Sequence, residues 1–123
     1  MRVLVCGGRE YADRDTLFWY MDMVLRKHPG LCICHGGATG ADSLAGDWAS
    51  ERGVPVAVFN ANWDKYGKAA GPMRNKLMAC VFEPHAIVAF PGGRGTRNMC
   101  KIGEDMDIPV AHVTHDTRRR MPR

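Results

Sequence analysis

Residues 90–98 read Phe90-Pro91-Gly92-Gly93-Arg94-Gly95-Thr96-Arg97-Asn98. The largely apolar run 85–90 before the glycines predicts a buried strand, and apolar positions after them recur at helical spacing. Glycines at such a turn let the backbone bend sharply and leave room for a ligand. The free amides and positive dipole end of the following helix favour a phosphate. We therefore predict a phosphate-binding loop, in which Thr96 either caps the helix or bonds a phosphate oxygen; a tight turn without a ligand is the alternative.

Strand and helix patterns alternate on both sides of this loop. Such alternation predicts an α/β fold in which a mostly parallel sheet is covered by helices on both faces, giving three layers. The five predicted strands are residues 2–6, 31–34, 54–59, 85–90 and 108–113.

Two aspartates mark predicted helix ends. Asp13 is a suitable N-cap for the first helix. Asp107 is expected to end the last helix, in a left-handed position where glycine is commoner but Asp is tolerated.

Residues 60–81 are predicted to contain the longest loop and then a helix. We expect residues 60–71 to be irregular, and a loop of this length in a compact domain is usually functional or mobile. Pro72 suits a first helical position. Met73, Leu77 and Val81 would then form the buried side of that helix.

A faint internal repeat relates two halves of the chain. Gly36-Gly37 and Gly92-Gly93 each precede a helix and then a strand that contains an early proline. Two similar βαβ units would place both glycine loops at the carboxyl edge of one sheet. Ligands of such sheets bind there, where the strand order reverses.

Three segments are expected to meet at that edge: residues 36–42, 63–74 and 91–96. The first and last would supply backbone amides, and the middle one a guanidinium suited to bidentate phosphate contact. The candidate ligand-binding residues are Gly36, Gly37, Thr39, Gly40, Asp42, Trp63, Arg74, Asn75, Pro91, Gly92, Gly93, Arg94, Gly95 and Thr96.

Several of these side chains have two interpretations. Arg74, in the first turn of a helix, faces either an anion or a neighbouring carboxylate. Trp63 and Tyr66 either stack on a base or pack the loop onto the domain. Asp42 either contacts a ribose or only occupies a helix N-terminus, and Lys68 is a further candidate contact.

Other catalytic and metal-binding patterns are missing from the sequence. Neither glycine loop has the dinucleotide Gly-x-Gly-x-x-Gly or the Walker A spacing, which argues against an ordinary dehydrogenase or NTPase. No Ser-His-Asp or Cys-His arrangement is evident. His112 and His115 lack partners at metal-ligand spacing, so no metal site is predicted. The five cysteines are interpreted as buried, reduced thiols: Cys6, Cys32, Cys34, Cys80 and Cys100.

The length predicts one domain, and the reduced cysteines and the expected lack of a secretory signal predict a cytoplasmic protein. The 123 residues predict a single domain over residues 1–114 and a basic, flexible tail over 115–123. The net charge of +4 is concentrated in that tail, so the domain itself is near neutral. No run is long enough to cross a bilayer, and no secretory signal is expected.

The glycine motifs together resemble the SLOG superfamily, in particular its small YpsA-related branch, over roughly residues 2–113. The resemblance implies a Rossmann-like fold, a nucleotide or nucleotide-derived ligand such as an ADP-ribose-like molecule, and a homodimer or larger homo-oligomer. Its residues are Gly36-Gly37-Ala38-Thr39-Gly40-Ala41-Asp42, Trp63, Ala70-Gly71-Pro72-x-Arg74-Asn75-x-x-Met78 and Pro91-Gly92-Gly93-x-Gly95-Thr96.

The superfamily includes the Lonely Guy phosphoribohydrolases, which cleave a base from a ribose 5′-monophosphate. By this resemblance Arg74, followed by Met78, occupies the position of their catalytic arginine. Their catalytic glutamate position is Met99 here, which cannot act as an acid or base. Asp42 or Glu104 would have to replace it.

Three functions are therefore expected, in this order. The first is a sensor or sequestering module for a nucleotide derivative, with the phosphate on the loop Gly92–Thr96 and on Arg74. The alternative is an enzyme that cleaves an N-glycosidic bond. The third is single-stranded DNA binding, suggested by the superfamily's DprA proteins, by Trp63 and Tyr66, and by the basic tail.

Overall fold

The computed structural model describes residues 1–115; residues 116–123 lie outside it, and with them nearly all of the predicted basic tail. Strands and helices alternate as predicted. In chain order the elements are β1 Arg2–Cys6, α1 Arg14–Lys27, β2 Cys32–His35, α2 Ala41–Arg52, β3 Val56–Val58, α3 Trp63–Tyr66, α4 Ala70–Leu77, β4 Ala86–Ala89, α5 Arg94–Asp105 and β5 Val110–His112.

The five strands form one parallel sheet in the order β3-β2-β1-β4-β5. In the registers, Val3 pairs with Ile33 of β2 and with Ala86 of β4, so β1 lies at the centre. The chain leaves β1 towards one edge and returns to β4 on the other side. The strand order therefore reverses between β1 and β4.

Alternation along β1 divides the core between two faces of the sheet. Val3 and Val5 pack with α1 and α2, where Trp48 is fully buried. Leu4 and Cys6 point the other way and pack with α5 and with the segment after α4. The three-layer Rossmann-like sandwich predicted from the sequence is confirmed.

Both predicted helix-end aspartates are confirmed. The Asp13 side chain caps α1 by accepting from the Thr16 amide at 3.1 Å. Asp107 follows α5 with φ of 58°, the left-handed conformation that ends a helix.

The prediction for residues 60–71 is wrong. This stretch contains the short helix α3, a 3₁₀ turn over Gly67–Ala69 and the start of α4. The Asn62 side chain caps α3 by accepting from the Lys65 amide. Pro72 is accordingly the third residue of α4 rather than the first.

The predicted buried face of α4 is also wrong. Met73, Leu77 and Val81 are 46%, 52% and 61% exposed. Within α4, small and polar residues face inward instead: Ala70, Gly71 and Asn75. Met78 and Ala79 are buried directly after the helix. Hydrogen bonds to the neighbouring helix make a buried asparagine favourable here, and this overrides the apolar pattern.

Predicted strand lengths are too long at the sheet edges. Strand β3 spans only Val56–Val58, and both valines are more than 40% exposed. Two cysteines also depart from the expected burial, because Cys32 is half-buried and Cys80 is exposed.

We expect Gly53→Ala to lower the free energy of unfolding by about 1 kcal/mol, because Gly53 ends α2 with φ of +68°. A Cβ there would have no heavy atom within 4 Å, so the cost comes from the backbone alone. Gly30→Ala is the matched control: its site is equally open, but its φ lies outside the left-handed region. Urea denaturation that found equal stability for the two variants would contradict this conformation.

Candidate functional site

A cavity of about 910 Å³ lies at the carboxyl ends of the central strands. The loops after β1, β2 and β4 line it, together with α4 and the first turn of α5. It therefore occupies the point between β1 and β4 where the strand order reverses, which is the usual ligand position in open parallel sheets.

The first turn of α5 reaches this cavity without a cap. Gly93 is the N-cap residue and no side chain caps the helix. Of the two alternatives for Thr96, the cap is therefore wrong, and the phosphate contact stays a prediction. The Arg97 amide is the first to bond within the helix, to the Gly93 carbonyl at 3.0 Å. The amides of residues 94–96 thus have no protein acceptor within the described chain, as expected for an uncapped helix start.

The glycines of this loop have different roles. A Cβ on Gly92 would collide with the Thr96 hydroxyl and lie 2.6 Å from the Gly8 amide nitrogen, so packing requires glycine there. A Cβ on Gly93 or Gly95 would have no heavy atom within 4 Å. Glycine at these two positions is not required by packing, and it keeps the space in front of the helix start empty.

The loop after β2 is built differently, because its amides are already bonded. Asp42 is 7% exposed, and its Oδ2 accepts from the amides of Gly36 at 3.1 Å and Ala38 at 3.2 Å. The Gly37 amide donates to His35 Nδ1 at 3.0 Å. The expectation that this loop offers free amides is therefore wrong for residues 36–38.

Burial shifts the titration of the two groups that hold this loop. It raises the pKa of the Asp42 carboxyl, while the amides of Ala38 and Gly36 and the Arg74 guanidinium act in the opposite direction. Burial lowers the pKa of His35. A lower pKa favours the neutral ring, which is the form that can accept a hydrogen bond at Nδ1.

Three predicted ligand residues do not line the cavity. The Thr39 hydroxyl donates to the Arg9 carbonyl at 3.1 Å. Gly40 has φ of +75°, and a Cβ there would collide with Gly8 and Arg9. Gly37 has φ of +69° and lies against Asn60. These residues shape the loop and join it to the loop after β1.

Arg74 and Asn75 connect α4 to both glycine loops. Arg74 donates from a terminal nitrogen to the Gly36 carbonyl at 2.5 Å and from Nε to Asn75 Oδ1 at 3.0 Å. Asn75 in turn donates to the Gly95 carbonyl at 3.3 Å and to Asn98 Oδ1 at 2.9 Å. A Cβ on Gly36 would collide with the guanidinium, which explains the glycine.

Arg74 forms no ion pair with a carboxylate among residues 1–115. Burial is the largest influence on the guanidinium and lowers its pKa, while the more distant Asp42 acts in the opposite direction. A charged, partly desolvated guanidinium therefore borders the cavity without a direct anionic partner.

The aromatic residues after β3 differ from each other. Trp63 lines the cavity, and the Arg9 guanidinium lies 4.9 Å from its ring centroid. A Cβ on Gly71 would lie 3.0 Å from the ring, so Trp63 also packs the segment onto α4. Tyr66 does not line the cavity, whereas Lys68 does.

The sequence analysis missed the loop after β1 as a part of the site. A Cβ on Gly7 would lie 2.6 Å from the Ala41 Cβ, and the Gly8 amide donates to the Pro91 carbonyl at 2.9 Å. Arg9, Glu10 and Tyr11 follow and line the cavity. The signal was present, because residues 7–9 repeat the Gly-Gly-Arg of residues 92–94.

The structure locates Met99, at the position of the resembled catalytic glutamate, and the acidic residues that would have to replace it. Met99 is 1% exposed and belongs to the apolar cluster beneath α5. Glu104 lines a different cavity. Two acidic residues of the described part of the chain line the first cavity: Asp42 holds the loop after β2, and Glu10 is exposed. Within residues 1–115, no three His, Cys, Asp or Glu side chains are grouped to hold a metal ion.

A doubly wound parallel sheet with a cavity at its reversal point defines a Rossmann-like α/β protein. The family described as "YspA, cpYpsA-related SLOG family" matches residues 1–66, which is more than half of the chain. The chain belongs to this family. The predicted resemblance is thereby confirmed.

Known proteins similar to the chain include a phage protein and a bacterial enzyme of known structure. The Gene 61 protein of Mycobacterium phage D29 is 38% identical over 117 residues, covering 89% of this chain and 93% of that protein. The crystal structure of UDP-GlcNAc 2-epimerase from Neisseria meningitidis, bound to UDP-GlcNAc, superposes with a TM-score of 0.60 at 17% identity. The match covers 99% of this chain but only 36% of the epimerase, and it shows the fold alone. Among the helices of residues 1–115, none has the length and apolar character needed to span a bilayer.

We expect Asp42→Ala to lower the free energy of unfolding by about 2–6 kcal/mol, because it leaves two amides without an acceptor at about 1–3 kcal/mol each. Asp47→Ala is the control on the same helix. That carboxylate is exposed, and its ion pair with Arg14, at 3.9 Å, is a weak surface contact. Chemical denaturation at pH 7 measures both variants. An Asp42→Ala protein as stable as Asp47→Ala would show that the amides do not depend on Asp42.

Proposed function

We propose that the protein binds a nucleotide or nucleotide derivative and acts as a sensor or sequestering module. The phosphate lies on the amides at the start of α5, with Arg74 beside it. The nucleoside extends towards Trp63 and the loop after β1. The observation that carries the proposal is the uncapped start of α5, which meets the cavity where Gly93 and Gly95 leave open space.

The charges around the cavity support an anionic ligand. Among residues 1–115, four cations and only two carboxylates line the cavity, and one of these carboxylates accepts from backbone amides. The helix dipole adds partial positive charge at the α5 N-terminus. An anion would also compensate the partial desolvation of Arg74. The cations are Arg9, Lys68, Arg74 and Arg94.

The size of the cavity also suits this ligand. Its volume of about 910 Å³ lies in the range of roughly 300–1,000 Å³ that small-molecule and cofactor sites occupy. Base stacking by Trp63 stays a prediction. Its ring lines the cavity, and the Arg9 guanidinium lies over the ring.

Gly95→Ala tests the phosphate position without damaging the fold. Its Cβ meets no protein atom and alanine favours helices, so we expect unfolding stability to be unchanged or higher by up to about 1 kcal/mol. The same Cβ enters the space proposed for the phosphate. A ligand of the wild-type protein should therefore bind Gly95→Ala at least about tenfold more weakly, by calorimetry.

The ligand is first found by thermal shift with 5′-monophosphates of the four common nucleosides and with ADP-ribose, since binding stabilises the native state. Arg74→Ala should then weaken binding by about 10–100-fold, as expected for a charge-assisted contact. Arg26→Ala removes the same charge far from the cavity and should have no effect. No shift with any ligand, or unchanged affinity in Gly95→Ala, contradicts the proposal.

Cleavage of an N-glycosidic bond is a second candidate function, and the exposed carboxylate of Glu10 in the cavity lining favours it. Its carboxylate is exposed and lines the cavity, whereas Met99, at the resembled glutamate position, is buried. In this reaction water adds to the anomeric carbon and the base departs. Glu10 would activate the water or stabilise the positive charge that develops on the sugar.

We expect Glu10→Gln to reduce release of free base by at least about 100-fold if this reaction occurs, because the amide cannot accept the proton. Chromatography of each nucleoside monophosphate after incubation measures the release. Glu104→Gln is the control, since that carboxylate lies outside the cavity. Absence of base release with every nucleotide excludes this candidate while leaving ligand binding intact.

Two further expectations stay predictions. The expectation of single-stranded DNA binding depends on the superfamily's DprA proteins, on Trp63 and Tyr66, and on a basic tail that lies almost wholly outside the described residues. Homo-oligomerisation remains compatible with the exposed Met73, Leu77 and Val81.

A further inference from the structure

Two buried cysteines lie beside the proposed ligand site without a part in its contacts. Cys6 is the last residue of β1, and Cys100 lies in the second turn of α5. Each is 7% exposed, and both belong to the apolar cluster on the α5 side of the sheet. Both are free thiols. Because a buried thiol packs like a small apolar group, burial alone assigns these two residues no further role.

The two thiols contact each other. The Cys6 thiol donates a hydrogen bond to the Cys100 sulfur, and this bond is the largest influence on both groups. It raises the pKa of Cys6 well above its ordinary value, and burial adds to that rise. It lowers the pKa of Cys100, while burial and the charge of Glu104 act in the opposite direction. Cys6 therefore keeps its proton, and Cys100 is the thiol that more readily becomes a nucleophilic thiolate.

The sheet register excludes the other nearby cysteine as a partner of Cys6. Cys34 lies in the same apolar cluster, on the neighbouring strand β2. It pairs with Leu4, so Cys6 is displaced from it by two residues along the strand. Strands lie about 4.8 Å apart and rise about 3.3 Å per residue, which puts the Cα atoms of Cys6 and Cys34 about 8 Å apart. A disulfide requires less than about 7 Å, whereas the sulfurs of Cys6 and Cys100 are already in contact.

The pair is reached through a second cavity. This cavity has a volume of about 560 Å³, and the ends of β4 and β5 line it together with α5. Cys100 belongs to its lining, as does Ala89, the register partner of Cys6 on β4. Cys6 itself lines the first cavity. A reagent as small as hydrogen peroxide therefore has a path to the Cys100 sulfur, although both residues are largely buried.

We propose that Cys6 and Cys100 are a thiol pair that hydrogen peroxide oxidises to an intramolecular disulfide, with Cys100 reacting first. The Cys100 thiolate attacks the peroxide, so that an S–O bond forms and the O–O bond breaks. The hydroxide that leaves becomes water with the proton from Cys100, and a sulfenic acid remains. The Cys6 sulfur then attacks the sulfur of that sulfenic acid. An S–S bond forms, the S–O bond breaks, and the second hydroxide leaves as water with the Cys6 proton.

The reaction balances without a further reagent. The two thiols together lose two electrons and two protons, and one peroxide is reduced to two water molecules. The disulfide joins the end of β1 to α5 four residues after Thr96. No nucleotide takes part, so this modification site is independent of the proposed function.

Peptide mapping of the folded protein, without added nucleotide, tests the pairing. The protein is treated with hydrogen peroxide, remaining thiols are blocked with N-ethylmaleimide, and trypsin digestion is followed by mass spectrometry. We expect the peptides of Cys6 and Cys100 to be joined, with a mass lower by two hydrogen atoms than their sum, and to separate on reduction. Cleavage after lysine and arginine gives peptides 3–9 with Cys6, 98–101 with Cys100, 28–52 with Cys32 and Cys34, and 77–94 with Cys80.

The exposed Cys80 shows within the same sample that the peroxide was sufficient. If Cys80 is oxidised while Cys6 and Cys100 are both recovered as blocked thiols, the proposal is overturned. A disulfide that joins either of them to a different cysteine overturns it as well. The mapping uses the wild-type protein, so its result does not depend on whether a variant folds.

Single variants test which thiol reacts first. In Cys6→Ala, the Cys100 sulfenic acid has no thiol to displace its oxygen, so dimedone should trap it there. In Cys100→Ala, Cys6 should be oxidised at least about tenfold more slowly than in the wild-type protein. Sulfenic acid on Cys6 in Cys100→Ala, with none on Cys100 in Cys6→Ala, contradicts the assigned order. Cys80→Ala is the matched control and should form the disulfide at the wild-type rate. The thermal midpoint checks that each variant is folded.

Discussion

The arrangement of the site depends on the hydrogen bonds made by two consecutive residues of α4. Arg74 bonds the loop after β2 through the Gly36 carbonyl, and Asn75 bonds the first turn of α5 through the Gly95 carbonyl and Asn98. The Arg74–Asn75 bond joins these contacts into one network. Each bond contributes only about 1 kcal/mol net, but a buried group without its partner would cost more. Both glycine loops are therefore held in one relative position.

Close packing of glycines imposes the second constraint. Side chains at Gly7, Gly36 or Gly92 would collide with Ala41, with Arg74 and with Thr96 respectively. These glycines let three loops and a guanidinium converge between β1 and β4. Gly93 and Gly95 face no protein atom, which sets them apart functionally. A motif of adjacent glycines thus combines residues required by packing with residues that leave space for a ligand.

The fold was predictable because alternating strands and helices admit few arrangements, and local signals such as Asp13 and Asp107 acted within single turns. The buried face of α4 was not predictable from hydrophobicity. Asn75 becomes an interior residue only because Gly95 and Asn98, on another helix, supply its partners. The pattern within one helix carries no information about such distant bonds. The apolar residues of α4 were therefore wrongly predicted to form its buried face.

The candidate site was predictable in part. The convergence of residues 36–42, 63–74 and 91–96 follows from placing loops at one sheet edge. The loop Gly7–Tyr11 was missed because the position of β1 between β2 and β4 depends on strand order. The use of Asp42 inside its own loop was likewise hidden, since an acidic residue near a helix start has the same sequence signature whether it meets a ligand or a backbone amide.

The contrast between the two glycine loops has a consequence for ligand orientation. The amides of Gly36, Gly37 and Ala38 are bonded within the protein, and a buried carboxylate lies beneath them. The amides of residues 94–96 are uncapped, with a helix dipole behind them. A phosphate placed near Asp42 would meet negative charge and occupied donors, whereas one near α5 would meet free donors. The same asymmetry favours neutral ribose or base atoms on the β2 side. The orientation of the bound ligand therefore follows from which backbone amides are already hydrogen-bonded within the protein.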